Sequence, residues 1–337
     1  MSLRKPLPPH LSRGPFTVQD ALAQGIGAGR LRGPDLERPY RGVRSVSPPP
    51  PTTRDRDELE RLQLLARCSA LASLLRNGQH FSHVTAARLW GCPFPARFAL
   101  SHPLDVATPS PRRSMRREGV RGHQSLQPVV VKRFGLPVSD ALTTWLALAS
   151  TLALDELVAV GDHLILDPRV LDPYDIRPYL TLGELERAVA EFTGRGARVA
   201  AAALALMRQG AESRPESLVR LLLGRAGFGE PELQAPIVDS RGRRLGYADL
   251  YFREFKVVVE YDGEKHRTDS VQNDRDLSRI DSFIAAGNAV VRIRSRRLFG
   301  SPDSIPRLVF EACERQARVL GVELSLSDLR SRMNSSN

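Results

Sequence analysis

The chain has 337 residues, of which 42% are hydrophobic and 26% charged, which is the composition of a globular protein with two or three domains. No stretch approaches the roughly eighteen consecutive apolar residues of a membrane helix, and residues 1–16 lack the apolar core of a signal peptide. The three cysteines are far apart and odd in number, so we expect reduced thiols, a cytoplasmic location and no membrane partner.

The positive charge is concentrated in the first half of the chain. Residues 1–150 hold 22 Lys and Arg against 10 Asp and Glu, a net charge of +12, whereas residues 151–337 hold 27 against 28, a net charge of −1. A field of that sign attracts a polyphosphate backbone and speeds its capture. The arginines could also reflect only a GC-rich genome, but because the excess is regional we favour contact with nucleic acid.

Residues 1–46 have the pattern of a small helix-turn-helix unit followed by a short hairpin. Thr17 is suited to cap a first helix and Gly25 to end it, and a second short helix is predicted around Arg30. Residues 40–46 alternate like a strand with outward arginines. These features predict a winged helix-turn-helix-like unit.

Residues 47–54 include four consecutive prolines and are predicted to be a linker, and residues 55–205 are predicted to be an α/β domain of unspecified role. Spaced leucines predict one or two amphipathic helices over 55–78. Further helices are predicted at 85–90, 141–154 and 182–207, and strands at 104–107 and 129–131. A basic run between these strands has the composition of a solvated loop: Arg112, Arg113, Arg116, Arg117 and Arg121.

Residues 213–320 have a clearer pattern, and residues 321–337 form a tail. Ser213 and Glu216 open a helix that Gly227 ends. Strands are predicted at 232–238, 244–252, 256–261 and 289–294, and helices at 272–286 and 304–320. The predicted order of elements is therefore α-β-β-β-α-β-α.

Two acids lie in strands that are otherwise apolar. Asp249 lies between alanine and leucine, and Glu260 follows three valines. Burying an unpaired carboxylate costs free energy, so these acids need a partner. They are eleven residues apart across a three-residue turn, so we expect them to meet at the same end of a hairpin. Such a pair suits a divalent metal ion that offsets phosphate charge and activates water.

A short run of polar residues follows the second acid. Strand alternation places Asp262 on the same face as Glu260. Gly263 lets the chain turn away, which brings His266 within reach of the same pocket. A histidine there accepts a water proton or steadies a phosphate oxygen.

An ordered series of residues resembles the domain of unknown function 559, which belongs with very-short-patch-repair (Vsr)-like endonucleases in the PD-(D/E)XK superfamily. The series is Asp249, Val-Val-Glu260-Tyr-Asp262-Gly263-x-x-His266, Asn273-Asp274-x-x-Leu277 and Val290-Val291-Arg292. The resemblance covers about a third of the chain. It implies a restriction-endonuclease-like αβββαβ core in which Asp249 and Glu260 bind Mg²⁺, with Mn²⁺ as the alternative.

The resemblance also implies roles for two further residues. Glu216 matches the helix-borne acid of the family, and His266 matches the histidine that Vsr-like enzymes use near the scissile phosphate. One position departs from the superfamily pattern, because the lysine expected two residues after the second acid is Asp262 here. Vsr-like members also lack that lysine. The general base therefore stays open among His266, Lys256 and Lys265.

Each site residue also has a purely structural explanation. Asp249 and Glu260 would form ordinary ion pairs with Arg292 or Arg294 on the sheet. These arginines and Arg279, on the helix after the motif, would either hold the phosphate or support the carboxylates.

The remaining candidates have local explanations. Glu216 completes a capping box with Ser213. Asp262 suits a turn ahead of Gly263, and His266 suits a surface loop.

A shorter resemblance links residues 1–46 to the winged-helix N-terminal domain of AbiEi-type antitoxins, which are transcriptional autoregulators. The matching residues are Phe16-Thr17, Ala21, Gly25-Ile26, Arg30-Leu31 and Tyr40-Arg41-Gly42-Val43. This resemblance implies DNA binding, with Arg30, Arg41 and Arg44 as phosphate contacts. Arg292 is a further candidate for contact with nucleic acid.

The leading hypothesis is an α/β multidomain, metal-dependent DNA endonuclease that acts in DNA repair, restriction or defence. The first half would hold DNA and the C-terminal domain would cut it. The alternative is a non-enzymatic, antitoxin-like transcriptional regulator whose nuclease fold is an inactive scaffold. A third hypothesis is an RNA-directed nuclease.

Overall fold

The computed structural model describes residues 6–47, 52–53, 55–98, 102–126, 128–263 and 270–323. The chain forms two compact units, residues 1–148 and residues 149–337, and each combines helices with a β-sheet. The expected mixed α/β class is therefore confirmed. Most of the predicted linker and tail lies outside the described residues. No helix in the described ranges is long and apolar enough to cross a membrane.

The first unit begins with short elements around a three-stranded sheet. They are α1 (Pro9–Ser12), β1 (Phe16–Thr17), α2 (Val18–Ala23), a 3₁₀ helix (Arg30–Arg32), β2 (Leu36–Glu37) and β3 (Val43–Val46), and the strand order is β1-β3-β2. The Thr17 hydroxyl accepts from the Asp20 N–H at 3.0 Å, so the predicted helix cap is confirmed. The second helix predicted near Arg30 is a single 3₁₀ turn.

A five-stranded sheet occupies the rest of the first unit. Its elements are α3 (Arg56–Ala72), β4 (His80–Phe81), α4 (His83–Leu89), a 3₁₀ helix (Ala96–Phe98), β5 (Leu104–Pro109), β6 (Val120–Ser125), β7 (Val130–Arg133), β8 (Leu136–Ser139) and α5 (Ala141–Leu148). The strand order is β6-β5-β4-β8-β7. Leucines of α3 and α4 pack with Phe81 and Val106 in one core. The amphipathic spacing in the sequence is thus explained by burial of one helix face.

The second unit begins with three helices that the sequence grouped with residues 55–205. They are α6 (Leu154–Ile165), α7 (Leu182–Glu191) and α8 (Ala197–Leu206). The single helix predicted over 141–154 is wrong, because Ala153 adopts an extended backbone with ψ 157° that starts a new helix. The helix predicted over 182–207 is interrupted at Gly196, which has φ +94°. A Cβ there would lie 2.5 Å from the Ala149 carbonyl carbon, so glycine is required.

The remaining elements form a four-stranded sheet between helices. They are α9 (Arg214–Arg225), β9 (Glu232–Val238), β10 (Arg244–Phe252), a 3₁₀ helix (Arg253–Phe255), β11 (Val257–Asp262), α10 (Ser270–Ala285), β12 (Ala289–Arg294), α11 (Ser295–Gly300) and α12 (Ser304–Leu320). The strand order is β12-β11-β10-β9, with only the β11–β12 pair parallel among these neighbours. The predicted α-β-β-β-α-β-α order is present, with the short α11 as an addition.

A buried acid joins α6 to α9. The Asp162 side chain is fully buried and accepts hydrogen bonds from Ser217 Oγ at 2.7 Å, Arg220 Nη2 at 3.0 Å and the Arg208 N–H at 2.8 Å. Buried charges are stable only when they are paired and hydrogen-bonded, as here. This network fixes the position of α9 and therefore of the acid that α9 carries.

Candidate active site

Asp249 and Glu260 lie opposite each other where the ladder between β10 and β11 ends. The ladder pairs Leu250 with Val259, and one further step of the same register sets Asp249 against Glu260. Beyond the ladder, the backbone N–H groups of the two strands donate to the carboxylates of these acids instead of to backbone carbonyls. The Tyr261 N–H donates to Asp249 Oδ2 at 2.9 Å, and the Asp249 N–H donates to Glu260 Oε1 at 3.3 Å. The two acids meet at one end of the hairpin, as the sequence predicts.

Glu260 is held by an arginine of α10. Its side chain is buried, and Arg279 Nη2 donates to Glu260 Oε2 at 2.7 Å. The other terminal nitrogen, Arg279 Nη1, donates to the Tyr247 carbonyl at 2.7 Å. The guanidinium therefore links the acid to β10. Arg279 forms the ion pair that the sequence analysis had considered for Arg292 or Arg294.

A third acid, Glu216, reaches the same place from α9. Ser213 Oγ donates to Glu216 Oε1 at 2.7 Å, and the Glu212 N–H donates to Oε2 at 2.9 Å. Gln234 Nε2 donates to Oε2 at 3.3 Å. Ser213 Oγ also accepts from the Glu216 N–H at 3.4 Å, so Ser213 caps α9, but the Glu216 side chain accepts from the Glu212 N–H and completes only half of the predicted capping box. Glu216 is also close enough to Asp249 for the two charges to repel each other.

Burial raises the pKa values of the three acids, and repulsion from Asp249 adds to this effect for Glu216 and Glu260. Burial is the larger cause for Glu216, and with repulsion from Asp249 it raises the pKa of Glu216 to about 8. The same two causes, opposed by Arg279, raise the pKa of Glu260 to about 7. Burial also raises the pKa of Asp249, against the lowering effects of its backbone hydrogen bond and of Arg279. Such a cluster favours binding of protons or of a cation.

Asp262, the last residue of β11, is tied to the neighbouring strand. Arg292 Nη2 lies 3.0 Å and Arg294 Nε 3.3 Å from Asp262 Oδ2. The parallel register of β11 and β12 brings these arginines alongside, because it pairs Asp262 with Arg294. Arg292, a candidate for contact with nucleic acid, is thus engaged by Asp262. Its Nε is buried without a hydrogen-bond partner in the described part of the chain.

The three candidates for the general base stand differently. His266 and Lys265 lie outside the described residues. Lys256 immediately precedes β11, four residues before Glu260, which is about 13 Å along a strand. Lys256 therefore lies at the turn end of the hairpin, whereas the acids meet at the opposite end.

The donor set of the cluster fits a metal site with two protein ligands. Within the residues that the structure describes, no three or more His, Cys, Asp and Glu side chains are arranged to hold a metal ion. Both oxygens of Glu216 accept hydrogen bonds from protein donors, and both oxygens of Glu260 do so too, from the Asp249 N–H and from Arg279. Mg²⁺ is commonly held by one or two carboxylates, with water and substrate oxygens completing its coordination. Asp249 and Glu260 supply that number.

The predicted phosphate contacts of the first unit are mostly engaged within the protein. Arg30 donates to both oxygens of Asp35, at 3.1 and 2.7 Å. Arg44 Nε donates to the Leu31 carbonyl at 2.7 Å. Arg41 is exposed. Of these three arginines, Arg41 is therefore the best placed to contact a phosphate.

The first unit contains a second cluster of titratable side chains that the sequence analysis did not single out. The rings of His83 and His123 stack with centroids 3.6 Å apart. His123 Nε2 donates to Asp105 Oδ1 at 2.8 Å, and Asp105 is buried. These residues are distant in sequence, so no local spacing connects them. The only available signal was that four of the seven histidines lie between residues 80 and 123.

No protein-family model, no curated protein and no solved structure matches this chain.

Proposed function

We propose that the protein is a divalent-metal-dependent endonuclease that hydrolyses phosphodiester bonds of DNA. One observation carries the proposal: Asp249 and Glu260 meet where the ladder between β10 and β11 ends, beside the third acid Glu216. Burial, together with repulsion from Asp249, raises the pKa values of Glu216 and Glu260, and strongly perturbed carboxyl groups are typical of functional sites. The ordered series of residues that resembles Vsr-like nucleases contains both acids.

Asp249 and Glu260 would hold Mg²⁺ or Mn²⁺. When bound, such an ion offsets charge on the phosphate and lowers the pKa of an attacking water. The other residues orient the two acids. The Tyr261 N–H fixes Asp249 and Arg279 fixes Glu260. Glu216, with a pKa of about 8, adds negative charge once a cation displaces its proton.

Substrate binding and proton transfer involve other parts of the chain. The net charge of +12 on residues 1–150 supports DNA as the partner of the first half. His266, which follows Asp262 by four residues, is the proposed proton acceptor, with Lys265 as the alternative. Repair, restriction and defence are the contexts that this activity would serve.

The proposal is tested by cleavage of supercoiled plasmid and of a mismatched duplex in Mg²⁺ and in Mn²⁺. We expect cleavage by the wild-type protein and a loss of at least about 100-fold for Asp249→Asn and Glu260→Gln. Glu232→Gln is the matched control, because Glu232 is an exposed acid of the same sheet that pairs with Arg253. Absence of wild-type cleavage in both metals would overturn the proposal.

A DNA-binding regulator with an inactive nuclease fold is the second candidate function. The observation that favours it is that Arg279 neutralises Glu260 and that both oxygens of Glu216 are already hydrogen-bonded. A regulator would bind its own promoter tightly and cut neither DNA nor RNA. Electrophoretic mobility shifts with that promoter, run beside the cleavage assay, separate the two functions.

A further inference from the structure

Arg169 lies beside the acids although it belongs to residues 55–205, outside the 213–320 region that carries them. It follows α6, and its guanidinium carbon is 3.9 Å from the centroid of the Tyr247 ring. Tyr247 precedes Asp249 by two residues on β10, and alternation places both side chains on the same face. Arg169 is therefore on the face of the sheet that carries the acids, and its charge lowers the pKa of Asp249.

The protein holds the Arg169 guanidinium only loosely. Its partner is Glu212, with Nη2 and Nε at 3.0 and 3.2 Å from Glu212 Oε1. The two side chains are 39% and 37% exposed, and exposed ion pairs of this kind contribute little to stability. A phosphate oxygen can therefore replace the Glu212 carboxylate on Arg169 with little loss of stability.

Arg279 also lowers the pKa of Asp249, but its guanidinium is not available to exchange partners. Arg279 gives one terminal nitrogen to Glu260 and the other to the Tyr247 carbonyl. Its guanidinium is thus committed to holding the acids and β10 together. Of the two arginines, Arg169 has the exposed and exchangeable charge.

We propose that Arg169 binds a backbone phosphate of the nucleic acid at the acid cluster and exchanges its ion pair with Glu212 for a phosphate oxygen. The inference rests on the proposed function, because it places the substrate at Asp249 and Glu260. The acids repel a phosphate, so a planar guanidinium that donates to two oxygens is needed beside them. Stacking on Tyr247 keeps that guanidinium oriented.

The chain offers a matched control for this arginine. Arg253 forms an ion pair with Glu232, and its guanidinium lies over the ring of Tyr251, 5.3 Å from the centroid. It therefore has the same kinds of contact as Arg169 and is also largely exposed. It pairs with an acid that has no place in the proposed site. If Arg169 had only a structural role, Arg169→Ala and Arg253→Ala would change DNA binding equally.

The experiment measures binding of a fluorescein-labelled DNA duplex by anisotropy, in EDTA and in Ca²⁺, across a series of KCl concentrations. We expect Arg169→Ala to weaken binding about 10-fold and to lower the salt slope by about one. Arg169→Lys should bind more tightly than Arg169→Ala but less tightly than the wild type, because lysine keeps the charge but lacks the paired donors of the guanidinium. Arg253→Ala should bind like the wild type. Thermal unfolding should show both alanine variants folded.

The results distinguish failure of the Arg169 proposal from failure of the nuclease proposal. Equal affinity and equal salt slope for Arg169→Ala and wild type would overturn the proposal, as would an equal loss in Arg253→Ala. If the wild type cuts no DNA but Arg169→Ala alone loses binding, the nuclease proposal fails and Arg169 remains a phosphate contact. If the wild type does not bind the duplex at all, both proposals fail.

Discussion

The backbone N–H of Asp249 donates a hydrogen bond to the carboxylate of Glu260, and this contact sets the geometry of the acid pair. The complementary bond, from the Tyr261 N–H to Asp249, ties the other carboxylate to the opposite strand. Each acid is therefore positioned by backbone groups before any cation binds. Preorganisation of this kind lowers the cost of assembling a metal site.

Replacing Asp249 by asparagine should separate stability from activity. Asparagine keeps an oxygen that accepts the Tyr261 N–H but removes a charge that repels Glu216 and Glu260. We expect the metal-free Asp249→Asn protein to be at least as stable as the wild type, by up to about 1–2 kcal/mol. It should also lose binding of Mn²⁺, measured by titration calorimetry. A clear fall in the urea midpoint would show that the repulsion is unimportant.

The acid cluster should make the second unit less stable as pH rises. Glu216 and Glu260 have folded pKa values of about 8 and about 7, above the ordinary glutamate value of 4.5. Between pH 4.5 and about 8 the folded state binds more protons than the unfolded state, so the free energy of unfolding falls with rising pH. Hydrogen exchange of β10 and β11 peptides in EDTA measures this.

A non-titrating variant and added Mn²⁺ both test whether the acids cause this pH dependence. Glu216→Gln should flatten the dependence, because glutamine does not titrate. Mn²⁺ should restore protection at pH 8, because it binds the deprotonated acids. Protection that increases from pH 5 to pH 8 without metal would contradict the assignment of raised pKa values.

The first unit should respond to pH in the opposite direction. Burial, with the neighbouring His123, lowers the pKa of His83 to about 4, whereas an unfolded histidine has 6.5. As pH falls from 6.5 to about 4 the unfolded state binds more protons, so stability is lost, and above 6.5 there is no effect. Both tryptophans, Trp90 and Trp145, lie in this unit, so their fluorescence in urea reports its unfolding.

His83→Asn is a suitable control for that pH dependence. His83 has φ +47°, and asparagine tolerates this left-handed backbone better than most residues but does not titrate. We expect the variant to lose less stability than the wild type between pH 6.5 and 4. An unchanged pH profile would assign the dependence to other groups.

Removal of Asp162 should destabilise the second unit strongly. Asp162→Ala removes the buried carboxylate from Arg220, which is 3% exposed and keeps an ion pair with the more exposed Glu230, and we expect a loss of about 3 kcal/mol. Asp155→Ala is the control on the same helix, because its partner Arg225 is exposed and the expected loss is within about 1 kcal/mol. Urea unfolding followed by far-ultraviolet circular dichroism compares them. Similar losses in the two variants would show that Asp162 is not a structural anchor.

The sequence determined the elements of residues 213–320 and the strands that carry the acids. Strands at 232–238, 244–252 and 289–294 have the predicted bounds. Periodicity and capping act over a few residues, so the sequence contains them directly. The meeting of Asp249 with Glu260 also follows from a short hairpin, where register depends on a nearby turn.

Only the tertiary structure decided the partners of the charged residues. Arg279 rather than Arg292 pairs with Glu260, and Arg292 pairs with Asp262. Arg169 reaches the acids from a segment that the sequence grouped with another domain. With 49 Lys and Arg and 38 Asp and Glu in the chain, many pairings are chemically equivalent. Coulombic attraction depends on distance through space, and distances between segments far apart along the chain are set by packing.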